Sequence, residues 1–184
     1  MDTINISIYG RGGQGAKTCA QIIAEAGVKA GKNVQAFPEY GPERRGAPVR
    51  SFVRLSDKPI RTHEPILNPD VVIVIDGNLA NVLKEIKEYT SPLIINGNGE
   101  IKGFKSKEIF IVDGTKISLE EIKINNPNIV LIGSLLKILE NKKINFIKYK
   151  DVEEVIKETF TKKRKEHFIM PNLNCLKRGY DFRK

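Results

Sequence analysis

The stretch Ile4-Asn-Ile-Ser-Ile-Tyr-Gly-Arg-Gly-Gly-Gln-Gly15 decides the fold of this chain. Its isoleucines alternate with polar residues and then give way to glycines, a pattern that predicts a β-strand feeding a tight turn. Small and apolar residues recur at helical spacing over residues 14–29, and Gly31 follows as a helix stop. Residues 34–37 predict a second strand. The opening of the chain therefore predicts a β-turn-α-β unit with parallel strands and a right-handed crossover.

Strand and helix patterns continue to alternate along the chain. Residues 71–75 form an unbroken β-branched run, typical of a strand covered on both faces in a parallel sheet. The remaining patterns predict strands at 49–55, 92–95 and 109–112 and helices at 79–89, 129–139 and 152–160. This order predicts an α/β fold with a single doubly wound, mostly parallel sheet and flanking helices. We expect one Rossmann-like domain over residues 1–170 and a C-terminal tail over 171–184, with no regular structure from Met170 onward.

Composition narrows the classes of function. The 184 residues, 40% of them hydrophobic, suffice for one core, and neither a membrane-spanning run nor a charged leader is visible. We therefore expect a soluble, cytoplasmic protein that binds no membrane. The net charge of +9 comes largely from lysines interleaved with glutamates, which indicates solvated helix faces. This distribution disfavours nucleic acid and favours an acidic partner or an anionic coenzyme.

The two cysteines, Cys19 and Cys175, lie far apart and neither belongs to a C-x-x-C pair. Neither a disulfide framework nor a zinc site is indicated. An iron–sulfur cluster normally takes four thiolates, so the chain alone does not supply the ligands for one. We predict no metal site.

The glycine loop, residues 10–15, fits the pattern G-x-G-x-x-G between a predicted strand and a predicted helix. NAD binding is disfavoured because it needs an acidic residue at the end of the second strand to hold the ribose, whereas the first acid there is Glu39, beyond Pro38. A P-loop is excluded because that motif needs Lys directly after its last glycine, whereas here Ala16 precedes Lys17. Two interpretations stay open: a tight turn that allows close packing, or an anion site suited to a phosphate of coenzyme A. The candidate residues of that site are Gly10, Gly12, Gly13, Gln14 and Gly15.

The proline-glycine segment, residues 38–48, holds three prolines and two glycines and is predicted to be a loop. Such a loop is either a solvated connection or a stiff binding element, because prolines lower the entropy lost on docking. Arg44 and Arg45 offer forked donors for a carboxylate or a phosphate. The candidate partner-contact residues are Glu39, Tyr40, Gly41, Pro42, Glu43, Arg44, Arg45 and Gly46.

Residues 37–49 closely resemble the signature of the gamma subunits of pyruvate and 2-oxoisovalerate ferredoxin oxidoreductases. The glycine loop resembles the family's opening loop, and residues 126–133 and 174–180 are similar to its later segments. The resemblance implies a subunit of a complex that decarboxylates a 2-oxoacid with coenzyme A and passes electrons to ferredoxin. Residues 43–48 are closer to the pyruvate and branched-chain members than to the others.

The resemblance also implies which subunits of the complex hold the cofactors. Thiamine diphosphate, Mg²⁺ and [4Fe-4S] clusters are expected on alpha, beta and delta-type partner subunits, coenzyme A is the cosubstrate, and ferredoxin is an indirect partner. This chain has no G-D-G ahead of paired asparagines to hold magnesium and diphosphate, since Asp76 and Gly77 follow Ile75 and Asn125 lies too far on. We predict no catalytic residues and a noncatalytic subunit that supports the active site.

Two other functions are compatible with parts of the sequence. A stand-alone module that binds coenzyme A or a nucleotide at the glycine loop fits the loop chemistry. A self-sufficient nicotinamide-dependent dehydrogenase needs a proton-transfer residue, yet His63 and His167 are the only histidines, and His63 lies in a predicted surface loop. The dehydrogenase interpretation is therefore disfavoured.

Overall fold

A computed structural model describes residues 1–39, 47–99 and 101–182. Within these residues six strands form one sheet: Thr3–Arg11 (β1), Asn33–Glu39 (β2), Pro48–Ser56 (β3), Val71–Val74 (β4), Leu93–Asn96 (β5) and Ile109–Val112 (β6). Their order in the sheet is β2-β3-β1-β4-β5-β6. β1 pairs in parallel with β4, β4 with β5, and β5 with β6, whereas β3 runs antiparallel to both of its neighbours. The expectation of a mostly parallel sheet is confirmed.

Helices cover both faces of the sheet, as the doubly wound prediction requires. They are Ala16–Lys29 (α1), Gly77–Val82 (α2), Lys84–Glu88 (α3), Gly114–Ile122 (α4), Asn128–Asn141 (α5), Tyr149–Lys162 (α6) and Ile169–Tyr180 (α7), with a 3-10 turn at Glu166–Phe168. The isoleucines of β1 face a large core beneath α1, α5, α6 and α7, whereas Tyr9 faces a smaller core that includes Leu79 and Ile86 of α2 and α3.

The predicted pairing of the first two strands is wrong. β2 does not lie beside β1, because β3 turns back from β2 and inserts between them. β3 pairs with β1 over the whole length of both strands, from Thr3 opposite Ser56 to Arg11 opposite Pro48. The alternation in the sequence identified each strand, but alternation does not report which neighbour a strand selects.

The prediction of no regular structure from Met170 onward is also wrong. Residues 169–180 form α7, which packs along α5 and buries Cys175 and Leu176. The buried positions repeat at helical spacing, but Asn172 and Gly179 occupy two of them, so the apolar period is hidden. α7 thereby completes one side of the main core.

Candidate functional site

The two glycine-rich motifs meet at the carboxyl end of β1. The N–H of Gly12 donates to the carbonyl oxygen of Ala47 at 3.1 Å, and Arg11 lies opposite Pro48 in the sheet register. The glycine loop therefore touches the base of the proline-glycine segment. Seven of the predicted partner-contact residues lie outside the described residues: Tyr40, Gly41, Pro42, Glu43, Arg44, Arg45 and Gly46.

An ion pair holds the two strands that lead into the proline-glycine segment. Glu39 on β2 lies opposite Arg50 on β3 and accepts a hydrogen bond from its Nε at 2.7 Å. Arg50 also donates to the Tyr9 hydroxyl at 3.2 Å, and that hydroxyl lies 2.7 Å from the Tyr89 hydroxyl. The carboxylate of Glu39 thus holds the base of the segment, and its predicted contact with a partner stays a prediction.

The glycine loop is shaped by bonds of its own. Gln14 closes it by donating its N–H to the Arg11 carbonyl oxygen at 3.0 Å, while its side-chain oxygen accepts from the Arg11 N–H at 2.9 Å. Gly15 has φ 84°, and a Cβ there would lie 2.2 Å from Nδ2 of Asn128. These constraints require glycine at position 15 for conformation and close packing, as the tight-turn interpretation expects. The anion-site interpretation stays a prediction.

Asp76 joins the glycine loop to the end of β4. Its Oδ2 accepts from Nε of Arg11 at 2.7 Å and from Nε2 of Gln14 at 3.2 Å, and its Oδ1 accepts from the Asn78 N–H at 3.0 Å. Burial alone would favour the neutral acid, but these hydrogen bonds prevail and hold the pKa of Asp76 below its usual value. A carboxylate therefore already sits at the loop where an incoming anion would approach.

This junction is the switch point of the sheet. The chain leaves β1 into α1 on one face and leaves β4 into α2 on the other, so the adjacent carboxyl ends open a crevice between them. Sequence reasoning missed Asp76 as a site residue. The available signal was an acid placed directly after a buried strand, at the edge where ligands of such sheets bind.

A cleft of about 580 Å³ extends from this junction along the ends of β4, β5 and β6. The side chain of Asn96 links the turns at the centre of the cleft. Its Nδ2 donates to the Ile75 carbonyl oxygen and to Oγ1 of Thr115, each at 2.9 Å, and its Oδ1 accepts from the Thr115 N–H at 3.1 Å. A Cβ at Gly77 would lie 2.2 Å from the Asn96 carbonyl oxygen, so only glycine lets the two turns pack this closely. Volume and placement make the cleft the main candidate ligand site.

The thiols do not suit a metal cluster. Cys19 and Cys175 are both free and buried, and burial raises the pKa of each thiol to about 12. Cluster ligands are thiolates, which this environment disfavours. Among the described residues, no group of three or more His, Cys, Asp or Glu side chains is placed to hold a metal ion. The two thiols are therefore poor candidates for the ligands of an iron–sulfur cluster.

We expect the protein to lose stability in alkali because of Cys19. The folded pKa is raised above the ordinary value of 9.0, so the stability is present below about pH 9 and is lost as the pH rises towards 12. At about pH 11 the free energy of unfolding should fall by about 3 kcal/mol through this thiol. Urea titrations at several pH values, with Cys19→Ala beside the parent chain, measure the effect. An equally steep alkaline loss in the variant would contradict the assignment.

The described residues contain no helix that is both long and apolar enough to cross a membrane. Fold and site together define an open α/β protein with a polar cleft at the switch point of its sheet. The family model for pyruvate ferredoxin/flavodoxin oxidoreductase matches residues 5–182. The chain belongs to this family.

Relatives of known function extend the match along nearly the whole chain. The pyruvate synthase subunit PorC of Thermotoga maritima is 40% identical over 94% of this chain and 91% of its own length. The pyruvate/ketoisovalerate oxidoreductases common subunit gamma of Thermococcus kodakarensis is 41% identical over 86% and 87%. The crystal structure of the Thermotoga maritima PORC subunit matches with a TM-score of 0.79 at 36% identity, covering 98% of this chain and 97% of that chain. The resemblance stated from the sequence is confirmed.

Proposed function

We propose that this chain is the gamma subunit of a pyruvate:ferredoxin oxidoreductase complex. Such a complex decarboxylates a 2-oxoacid oxidatively, joins the acyl group to coenzyme A, releases CO₂ and reduces ferredoxin. The observation that carries the proposal is the 40% identity to the Thermotoga maritima PorC subunit over nearly the full length of both chains.

Within this complex the chain acts as a noncatalytic module that supports assembly and the active site. The two thiols are buried in the core, and the sequence holds no G-D-G at the required spacing ahead of paired asparagines to anchor thiamine diphosphate. Thiamine diphosphate, Mg²⁺ and the [4Fe-4S] clusters accordingly belong on alpha, beta and delta-type partners in the cytoplasm.

The substrate is proposed to be pyruvate, with 2-oxoisovalerate as the second candidate. The Thermococcus kodakarensis relative is named as a subunit common to pyruvate and ketoisovalerate oxidoreductases, at nearly the same identity as the PorC relative. A gamma subunit shared in this way does not select the 2-oxoacid. Substrate choice then rests on the partner subunits.

The proline-glycine segment is proposed as the contact with those partners. Its two ends are fixed by the bond between Gly12 and Ala47 and by the ion pair between Glu39 and Arg50. A segment anchored at its base loses less entropy on docking than a free loop. The two arginines within it supply cationic forks for a carboxylate on the partner.

Coenzyme A at the glycine loop is the alternative role for this chain. The dipole and the first N–H groups of α1 favour a phosphate, but the carboxylate of Asp76, bound to Arg11 and Gln14, opposes one. Calorimetry of the purified chain with coenzyme A tests this role. Measurable heat at millimolar concentration would support it, and none would exclude it.

An affinity tag on this chain in its own cell tests the main proposal. We expect it to co-purify with larger subunits that bring thiamine diphosphate and iron, and the complex to reduce ferredoxin with pyruvate and coenzyme A. The chain purified alone should show no such activity. Migration of the chain in extracts without partners, or oxidation of a 2-oxoacid by the lone chain, would refute the proposal.

A further inference from the structure

A groove of about 280 Å³ lies between α1 and β2, away from the cleft. Where α1 approaches the start of β2 the packing is tight, since a Cβ at Gly27 would lie 2.5 Å from Cδ2 of Leu55 and 3.0 Å from Cγ2 of Val34. Nearer the start of α1 the groove is lined by small side chains of both elements: Ala20, Ala24 and Ala36. These short side chains leave space for a side chain from another molecule.

One polar group of this groove has no hydrogen-bond partner. Ser51 on β3 lies opposite Pro38 of β2 in the sheet register, lines the groove and is fully buried. The described residues offer its hydroxyl neither a donor nor an acceptor. A buried hydroxyl without a hydrogen bond destabilises a fold, and native structures rarely keep one without a reason. The hydroxyl therefore points to an occupant that can form a hydrogen bond with it.

The groove suits an aromatic ring with a polar tip. Most of its lining is apolar, with Phe37 and Pro38 beside the three alanines. Cavities of about 150 Å³ accept benzene in other proteins, so the larger volume here is sufficient for an aromatic side chain. Tyrosine combines an apolar ring with a hydroxyl that can either donate to or accept from Ser51.

The surroundings of the groove favour a protein partner of acidic character. The lining includes Pro38, where the proline-glycine segment begins, and that segment is itself proposed as a partner contact. Lys17 is exposed beside the groove in the first turn of α1, and the described residues give it no ion pair. A cation in the first turn of a helix is unfavourable unless an anion lies nearby. An acidic partner would supply that anion, and the net charge of +9 favours the same partner.

We propose that this groove receives a tyrosine side chain from an acidic segment of a partner subunit, with its ring between α1 and β2 and its hydroxyl bonded to Ser51. The inference rests on the proposed function, because it requires a complex. It adds a second contact beside the proline-glycine segment and specifies the chemistry of the residue that the partner contributes.

The test measures the affinity of tagged full-length chains for the separated partner subunits. Ser51→Ala should weaken this binding by about fivefold, because the hydrogen bond to the partner is lost. The same change should leave the denaturation midpoint of the isolated chain equal or higher, because it removes an unsatisfied hydroxyl. A residue that serves only the fold would not produce these opposite effects.

Ser7→Ala is the matched control for Ser51→Ala. The Ser7 hydroxyl is also buried without a hydrogen-bond partner among the described residues. Its neighbours Ile6 and Ile8 on β1 face the core beneath α1, so alternation along the strand directs Ser7 to the opposite face of the sheet. The Ser7→Ala chain should bind the partner subunits as the parent does. Equal binding by the Ser51→Ala and Ser7→Ala chains would overturn the proposal.

A second pair of variants tests the space in the groove. Ala24→Leu places a larger apolar side chain in it and should weaken partner binding by at least about fivefold, because the tyrosine ring is displaced. Thr18→Leu changes an exposed position of the same helix outside the groove lining and should bind as the parent does. Denaturation curves establish that each isolated variant is folded.

A small-molecule probe tests the identity of the side chain. Calorimetry of the isolated chain should show that p-cresol, the side chain of tyrosine, binds about fivefold better than toluene, and Ser51→Ala should remove this preference. Equal binding of the two compounds by the parent would overturn the assignment to tyrosine. If the parent chain binds no partner subunit, the proposed function fails. If the parent binds and both groove variants bind equally well, the groove proposal alone fails.

Discussion

Gly179→Ala is expected to lower the free energy of unfolding by about 2–4 kcal/mol, because α7 crosses α5 at this glycine. A Cβ at position 179 would lie 1.9 Å from the Val130 carbonyl oxygen, which is fixed backbone. The same crossing holds Gly133, whose Cβ would lie 2.2 Å from the Leu176 carbonyl oxygen. The Ser134 hydroxyl donates to the Gly179 carbonyl oxygen at 2.9 Å and keeps the helices in contact. Chemical denaturation of parent and variant measures the difference.

Gly99→Ala is the matched control for this substitution. Position 99 has no atom within 4 Å of a built Cβ, so the same chemical change should alter the free energy of unfolding by less than about 0.5 kcal/mol. Gly133→Ala should behave like Gly179→Ala. If Gly179→Ala unfolds at the same denaturant concentration as Gly99→Ala, α7 does not pack on α5 as described.

Replacing Arg44 and Arg45 together with alanine is expected to reduce the amount of assembled complex by at least about tenfold. The physical reason is the loss of two forked cationic donors, which we propose to pair with carboxylates of a partner; each such pair contributes on the order of 1 kcal/mol or more when it is desolvated. Pull-down of the partner subunits with tagged variant chains, quantified against the parent, measures the loss. The thermal midpoint of the isolated variant should match that of the parent.

Lys162→Ala with Lys163→Ala removes the same charge from an exposed site at the end of α6 and provides the control. Assembly should persist in that variant, because general electrostatic attraction falls only slightly while the specific donors remain. Full assembly and full turnover in the Arg44 and Arg45 variant would remove the proline-glycine segment from the interface.

The sequence was sufficient to predict the elements whose periodicity is carried by large apolar side chains. The alternation in β1, the unbroken run in β4 and the helical spacing of α1 and α5 each gave the observed type of element within a few residues. The predicted helix over 79–89 is two helices, because Leu83 adopts an extended conformation with ψ 109° and interrupts it. The spacing of apolar residues in a sequence does not reveal a change in the backbone conformation of one residue.

Other features depend on packing that the sequence does not encode locally. α4 was not predicted, since two of its three buried positions are Gly114 and Ser118 rather than large apolar residues. The cleft was not predicted either. In the sequence, Asp76 and Asn125 are notable only as a poor match to a thiamine-binding motif. They line the same cleft because separate turns converge at one edge of the sheet.

β2 is an edge strand of the sheet, and its sixth residue is Pro38. Proline has no backbone N–H, so a strand from another polypeptide that paired with this edge would lack one of the backbone hydrogen bonds between the two strands. A continuous intermolecular β-sheet through β2 is thereby discouraged. Neighbouring polypeptides are left to recognise this side of the molecule through side chains.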